Sequence, residues 1–470
     1  MKSHARVVIV GGGVMGVGLL YHLALEGWTD IVLIEKGELT SGSTWHAAGQ
    51  CPHFNGSLNM TKVHLYGTEL YPQARKAHRP GRVLAWLRRL APRHHRRGSE
   101  LAEICLRHLA ACRLRVRDHR PRPRSSSTTP ILETFGIKAA FRTVHDGHVA
   151  PADITNAMAA GARQLGAEIY RRNRVTDIKL LPNGEWRVFT EQGNIDCEHV
   201  VNSAGSYCDV VGSWTGHNVP IANMLHHYII TEPLQGADRP RRWNCRWCAI
   251  PTPTPICARK PMACWSAPTK RRPRMSAGTA SRRAGITRCE LEAPELDRLM
   301  PWLEKATERL PLFGQTGIKS IVSGAITHTP DGTYLSGPAP GPKNYWMHCG
   351  ASIGICQGGG AGKYLAQWMV HGQAEINMRE FDPRRFGNWA TKDYTAEVSV
   401  ADYHHMYYCY KPAEQHEVGR GLRKSSLYDK LKAEGAQFAQ IFGWERPRWY
   451  DKSGEGREIF LHAAPTGGTR

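Results

Sequence analysis

The first 35 residues leave the chain little freedom. Residues 7–10, "VVIV", form an apolar run of the length of a buried strand. "GGGVMG" follows, then "VGLLYHLALEG" with apolar residues at helical spacing, then a second apolar strand, "DIVLIEK", that runs into Glu35. Strand, Gly11-x-Gly13-x-x-Gly16, helix, strand and acid in this register are the fingerprint of a dinucleotide-binding βαβ unit. Gly11 permits the tight turn, Gly13 lets backbone approach a pyrophosphate, and Gly16 lets the helix pack closely on the strand. The helix N-terminus offers amide donors to phosphate. Glu35 follows Gly16 by 19 residues, at the distance suited to ribose hydroxyls. Lys36 beside it is assigned to the same site. A glycine turn in another kind of α/β unit would share the glycines without the full register.

The fingerprint alone does not choose between a nicotinamide and a flavin dinucleotide. Two later segments favour FAD. "RNRVTDIKLL", which carries Val175, and "GEWRVFTEQGNIDCEHVVNSAGSYCD" read as strands that end in a glycine turn at Gly205. "GPKNYWMHCGASIGICQGGGAGKYLAQWM" reads as strand, glycine-rich turn and helix. Gly354, Gly358, Gly359 and Gly362 would let backbone lie against a flat ring system, or would serve only to pack a helix. Two distant glycine turns after strands suit a large site assembled from separate segments. Val175, Gly205, Gly354, Gly358 and Gly359 are therefore expected at the cofactor.

With 470 residues, the chain can hold two or three domains and a substantial core. No apolar run approaches the roughly 18 residues of a membrane span. The sequence enters a strand almost at once, which leaves no room for a leader and makes a cytoplasmic location the expectation. The 13 cysteines should then be mostly thiols.

The net charge of +21 would ordinarily point to nucleic acid or an acidic surface, but its distribution argues against both. Residues 74–130 carry 16 Lys and Arg against 3 Asp and Glu, and residues 235–289 carry 13 against 1. The remainder is slightly acidic, so the basicity belongs to two windows. Neither window shows helical or strand periodicity.

After Glu35 comes "KGELTSGSTWHAAG". A loop histidine is ordinarily a solvated polar group. Here Ser43, Thr44, Trp45 and His46 follow the ribose-binding strand so closely that they should lie near the cofactor. "GSTWHAAG" resembles a segment of the dimethylglycine dehydrogenase and sarcosine dehydrogenase family of FAD-dependent N-methyl amine oxidoreductases. Further resemblances are "DGHVAPADITNAMAAGARQLGA", "VVNSAGSY", "HHYIITEPL", "GAITHTPDG" and "GAGKYLAQWMVHG". They cover residues 1–73, 131–234 and 290–458, and fail in the two basic windows.

The resemblance implies a covalent bond from His46 to the flavin, and oxidation of an N-methyl group by hydride transfer to FAD. The resulting iminium is captured by water or tetrahydrofolate. It implies a small N-methylated amino acid as substrate and an electron acceptor as partner, with no nucleic acid and no metal. An amine must be unprotonated to release a hydride, so a group that positions or deprotonates it is useful. His226 in "NMLHHYIITEP" matches the family's active-site histidine; a core or surface histidine on this strand is the alternative. His227 should face the other side of the strand.

The expected fold is α/β: a Rossmann-like FAD-binding domain interleaved with a mixed-sheet substrate domain over residues 1–375. A connecting segment follows over 376–430. Residues 431–470 resemble the start of a folate-binding aminomethyltransferase-like domain, so the folate site is expected to be absent.

The windows themselves read as translation in a shifted frame. Codon choices exist under which His94–Pro121, read one nucleotide later, becomes a normally charged amphipathic segment resembling the family. Cys248–Lys270, read one nucleotide earlier, becomes a segment with a tyrosine-leucine-arginine strand, whose tyrosine falls at Ile256. The C-terminal "IFLHAAPTGGTR" fits the same event. Two rivals are a basic nucleic-acid-binding insertion and a zinc site from Cys245, Cys248, Cys257 and Cys264, whose spacing fits no common zinc framework. Under the shifted-frame reading, the substrate sheet loses strands around Ile256, and FAD binding and turnover are weakened.

Overall fold

The computed structural model describes residues 1–53, 55–78, 146–232, 291–294, 296–405 and 417–451, with short strands at 85–86, 89–93, 116–119, 139–143, 247–250, 254–258 and 263–267. Most of both basic windows and residues 452–470 lie outside the described residues. So do Cys245, the side chains of the other three cysteines of the proposed zinc set, and the side chain of Ile256.

The N-terminal strand β1 (His4–Val10) is central because it can be buried on both faces: Val7, Val8 and Ile9 are fully enclosed. It pairs in parallel with β2 (Ile31–Ile34), which continues in parallel to β3 (Glu168–Tyr170). On its other side, β1 pairs in parallel with β6 (Gly193–Asn202). The antiparallel ribbon of β4 (Val175–Leu180) and β5 (Trp186–Thr190) extends β6 at one end. At the other end β6 takes β10 (Tyr345–Cys349) in parallel, and β9 (Leu335–Pro338) flanks β10.

Helices α1 (Val14–Leu25), α3 (Leu58–His78), α4 (Pro151–Gln164) and α7 (Gly354–His371) belong to one apolar cluster with Val7, Ile9 and Leu33 of the sheet. Glycine sets how closely α1 and α7 cross. A Cβ on Gly18 would lie 2.4 Å from the Gly358 carbonyl oxygen, and one on Gly362 would lie 2.4 Å from the Gly18 carbonyl carbon. A Cβ on Gly359 would touch Leu70 and Tyr71 of α3.

A second sheet is organised by β7 (Ala222–Thr231) and β8 (Ile318–His328), antiparallel along nearly their whole length. The strand at Ala263–Ala267 pairs with β7, Thr254–Ala258 pairs with that strand, and Trp247–Ile250 follows. The strands expected to be lost around Ile256 are therefore present as backbone, with Ile256 between Cys248 and Trp265. Ladder hydrogen bonds are made by backbone groups, so a strand forms there without the alternating pattern sought in the sequence.

Beyond α7, helix α8 (Lys392–His405) packs on β7, and a hairpin of β11 (Ala436–Ile441) and β12 (Trp444–Tyr450) follows. No helix among the described residues is long and apolar enough to cross a membrane. Among the described residues, Cys51, Cys197, Cys208, Cys349 and Cys356 are buried and not joined in disulfides.

Candidate active site

A cavity of about 380 Å³ runs from the β1–α1 turn to the facing sheet of β7 and β8. At one end Gly11 turns the chain with φ +117, and a Cβ there would lie 2.3 Å from the Ser203 carbonyl oxygen. Only glycine fits this turn. Gly12 and Gly37 donate amide hydrogens to the Glu35 carboxylate at 2.7 and 2.8 Å. Burial pushes the Glu35 carboxyl up, while those two amides and Lys36 oppose the shift. The Lys36 ammonium lies 3.6 Å from the Tyr207 ring centroid. This end thus joins the N-terminus of α1, a buried acid and an aromatic face on one wall.

The loop after β2 folds back as the short helix α2 (Ser43–His46). Thr44 Oγ1 accepts the Val14 amide at 3.0 Å, and Ser43 Oγ donates to the Ala325 carbonyl at 2.6 Å. Those two contacts fix α2 between the dinucleotide turn and β8. His46 is buried on the cavity wall, and burial lowers its pKa. It is thereby held as a neutral imidazole, the nucleophilic form of the ring.

The far end is made by β7. Its alternation sends His226 and Tyr228 into the cavity and His227 into the opposite face, where His227 is fully buried. His226 Nδ1 shares a 2.6 Å hydrogen bond with the Tyr403 hydroxyl of α8. Burial, helped by His227 and His46, lowers the His226 pKa to about 3. Asn223, also on the wall, donates to the Ser206 carbonyl, but its Oδ1 is buried without a partner among the described residues. An unpaired buried acceptor is costly unless a ligand satisfies it.

Of the residues expected at the cofactor, Gly11, Gly13, Glu35, Lys36, Ser43, Thr44, His46, Gly205 and Gly354 line this cavity, as does His226. Gly16 lies behind it, where a Cβ would sit 2.1 Å from the Gly11 carbonyl oxygen. Three expectations are corrected. Gly358 and Gly359 lie inside α7 and serve the packing on α1 and α3, because the glycine-rich run continues past the turn into a helix. Val175, the first residue of β4, is buried in the apolar cluster with Val10 and Ile34 and is not among the residues that line the cavity. Tyr228, Asn223 and Gly324 were not singled out by the sequence. For Tyr228 a signal existed, since it stands two residues from His226 on the same strand face.

The residues present suit a flavin dinucleotide: a helix N-terminus and a buried acid at one end, an orphaned acceptor along the wall, and a neutral histidine held from both sides at the other. Comparisons with known proteins agree. A family model described as FAD dependent oxidoreductase matches residues 6–368, and one described as FAD dependent oxidoreductase central domain matches residues 371–425. The mitochondrial dimethylglycine dehydrogenase of Mus musculus is 32% identical, with 97% of this chain covered and 52% of that protein. The mitochondrial sarcosine dehydrogenase of Homo sapiens is 29% identical, with coverage of 97% and 49%. The chain spans about half the length of the curated relatives it matches. Among solved structures, L-proline dehydrogenase from P. horikoshii superposes with a TM-score of 0.70 at 19% identity, covering 82% of this chain and 98% of that one, which speaks to the fold.

Proposed function

The chain belongs to the FAD-dependent oxidoreductase family, and from that premise we propose that it oxidises the N-methyl group of a small N-methylated amino acid such as dimethylglycine or sarcosine. FAD, when bound, supplies the oxidant that takes a hydride from the methyl carbon. The substrate leaves as an iminium, which water converts to formaldehyde and the demethylated amine.

The observation that carries this reading is the placement of His226 and Tyr228 on the cavity face of β7, in the cavity that also holds His46. His46 is the covalent anchor for the flavin in this reading, held neutral and wedged between α2 and β8. His226 stays unprotonated across neutral pH because of burial, so its imidazole accepts the N–H of the protonated amine as substrate enters and holds the nitrogen in place. A group with so low a pKa does not store the substrate proton; that proton must leave by solvent or another group.

The basic windows are read as out of frame, with weakened activity as the consequence. The nucleotide sequence across codons 74–130 and 235–289 tests that directly.

The function is tested by loading the full chain with FAD and adding dimethylglycine or sarcosine without oxygen. Bleaching of the flavin by an N-methyl amino acid, and none by glycine, is the expected result. A flavin-loaded chain that no N-methyl amino acid bleaches sinks the proposal. Yellow colour that stays with acid-precipitated wild-type protein, and leaves it in His46→Ala, tests the anchor.

A further inference from the structure

Helix α8 lies in the segment matched as the FAD dependent oxidoreductase central domain, and two of its adjacent side chains reach histidines of the β7–β8 sheet beside the cavity. Tyr403 is fully buried, and its hydroxyl meets His226 Nδ1 at 2.6 Å. Its ring stands edge-on to two imidazoles, at 6.1 Å from His226 and 5.7 Å from His328. Asp402 accepts from His328 Nε2 at 2.8 Å, and His328 Nδ1 lies 3.1 Å from the Ser352 hydroxyl on the cavity wall. Ala222 and Met224 of β7 close around the Tyr403 ring.

We propose that Tyr403 is a positioning residue for His226, fixing its ring plane so that Nε2 is the atom presented to the substrate amine. This rests on the amine-oxidising reading above.

The chemistry follows from the two ring nitrogens. A neutral imidazole has one N–H and one lone pair, and a partner on one nitrogen leaves the other for substrate. With Nδ1 committed to the phenol, any contact His226 makes to substrate is through Nε2. The phenol hydroxyl can accept from Nδ1–H or donate to a bare Nδ1, so the bond holds the ring whichever nitrogen carries the proton. The Asp402–His328 pair holds the same turn of α8 against the end of β8, so the phenol cannot drift along β7. Other groups that bear on His226 are His227 behind it, His46 across the cavity, and Tyr228, Tyr207 and Glu292 on the cavity wall. Burial keeps the ring uncharged, which leaves ring orientation as the property Tyr403 controls.

The experiment uses the flavin-loaded full chain and Tyr403→Phe, which deletes one oxygen and keeps the buried ring. The limiting rate of anaerobic flavin bleaching should fall about tenfold to a hundredfold, with flavin content unchanged, because a misplaced group costs rate more than binding. His226→Ala should fall further, and adding Tyr403→Phe to it should cost nothing more, since the tyrosine acts through the histidine. A rate loss that adds in full on top of His226→Ala, or a wild-type rate in Tyr403→Phe, overturns the proposal.

A second readout does not need turnover. Nitrogen NMR of histidine-labelled protein, with His226→Asn to assign the ring, should show a hydrogen-bonded Nδ1 in the wild type and a shifted Nδ1 signal, with that bond lost, in Tyr403→Phe. Identical His226 signals in the two proteins overturn the proposal. If no N-methyl amino acid bleaches the wild-type flavin, the assigned function fails, and the NMR comparison still decides whether Tyr403 governs His226.

Discussion

The His46 imidazole lies against Gly324 of β8, so close that a Cβ there would sit 2.6 Å from Cε1, 2.7 Å from Nε2 and 2.8 Å from Nδ1. The near-equal distances place the ring face-on to the strand. Gly324 is opposite His226 in the β7–β8 register, so both histidines stand at one rung of the ladder.

Gly324→Ala should therefore displace His46 rather than merely crowd it. Ser43 and Thr44 hold α2 from either side and leave the ring little room to retreat. The expected cost in stability is about 1–3 kcal/mol, the usual range for overpacking. The fraction of flavin that survives acid precipitation should drop sharply. Unfolding midpoints and the flavin content of the precipitate check this, and a variant with wild-type flavin retention contradicts it.

Three buried histidines predict acid sensitivity well above the carboxylate range. Burial lowers His22 to about 4, and His226 and His348 to about 3. Each binds a proton more readily in the unfolded chain. Their stabilising contribution is therefore complete above the unfolded value near 6.5 and is lost as pH falls toward the folded value. The slope is at most about 1.4 kcal/mol per pH unit for each group. Urea unfolding between pH 7 and pH 5 should show stability declining with acid. His22→Gln should flatten the curve while losing the bonds that His22 makes to the Gly18 carbonyl and the Tyr66 hydroxyl. A flat wild-type profile would contradict the assignment.

The dinucleotide end of the site was legible because its signal is local. Gly11, Gly13 and Glu35 are fixed by turn and strand geometry within one βαβ unit, and they stand on the cavity as that geometry requires. His46 was placed by its closeness to the same strand. What the sequence hid is tertiary. Tyr403 meets His226 across 177 residues, and nothing near either residue announces the other. Gly358 and Gly359 were misplaced for a related reason: a glycine-rich run looks alike whether it admits a cofactor or a helix, and only the partner surface tells them apart.

That partner surface gives a prediction. Gly362→Ala should destabilise the protein by about 1–3 kcal/mol, because its Cβ would strike the Gly18 backbone rather than a movable side chain. Gly372→Ala, with φ +75 at the α7 C-terminus and no atom of the described residues within 4 Å of its Cβ, should cost about 1 kcal/mol through backbone strain alone. Thermal unfolding of the two variants separates the mechanisms. Only the first should also loosen flavin binding, since α1 begins on the cavity wall at Val14 and Met15. Equal effects on flavin would show that the crossing does not position the site.

The C-terminal hairpin carries its own electrostatic anchor. The Glu445 side chain is 1% exposed, and its carboxylate accepts from Arg420 Nε and Nη2 and from the Gly421 amide at 2.6 Å. The Arg420 hydrogen bonds lead in holding the Glu445 carboxyl below its usual pKa, against a smaller opposing effect of burial. Because the folded value is lowered, the stabilisation is complete above about pH 4.5 and disappears as acid protonates the folded form. Glu445→Gln should remove about 1–3 kcal/mol at neutral pH, the range for hydrogen bonds to a charged group, screened here by the half-exposed arginine. The loss should be confined to β11 and β12, with amide exchange accelerating there and the cavity end of β7 unchanged. Exchange that quickens equally in β1 and β6 would mean the hairpin is not a separate unit of stability.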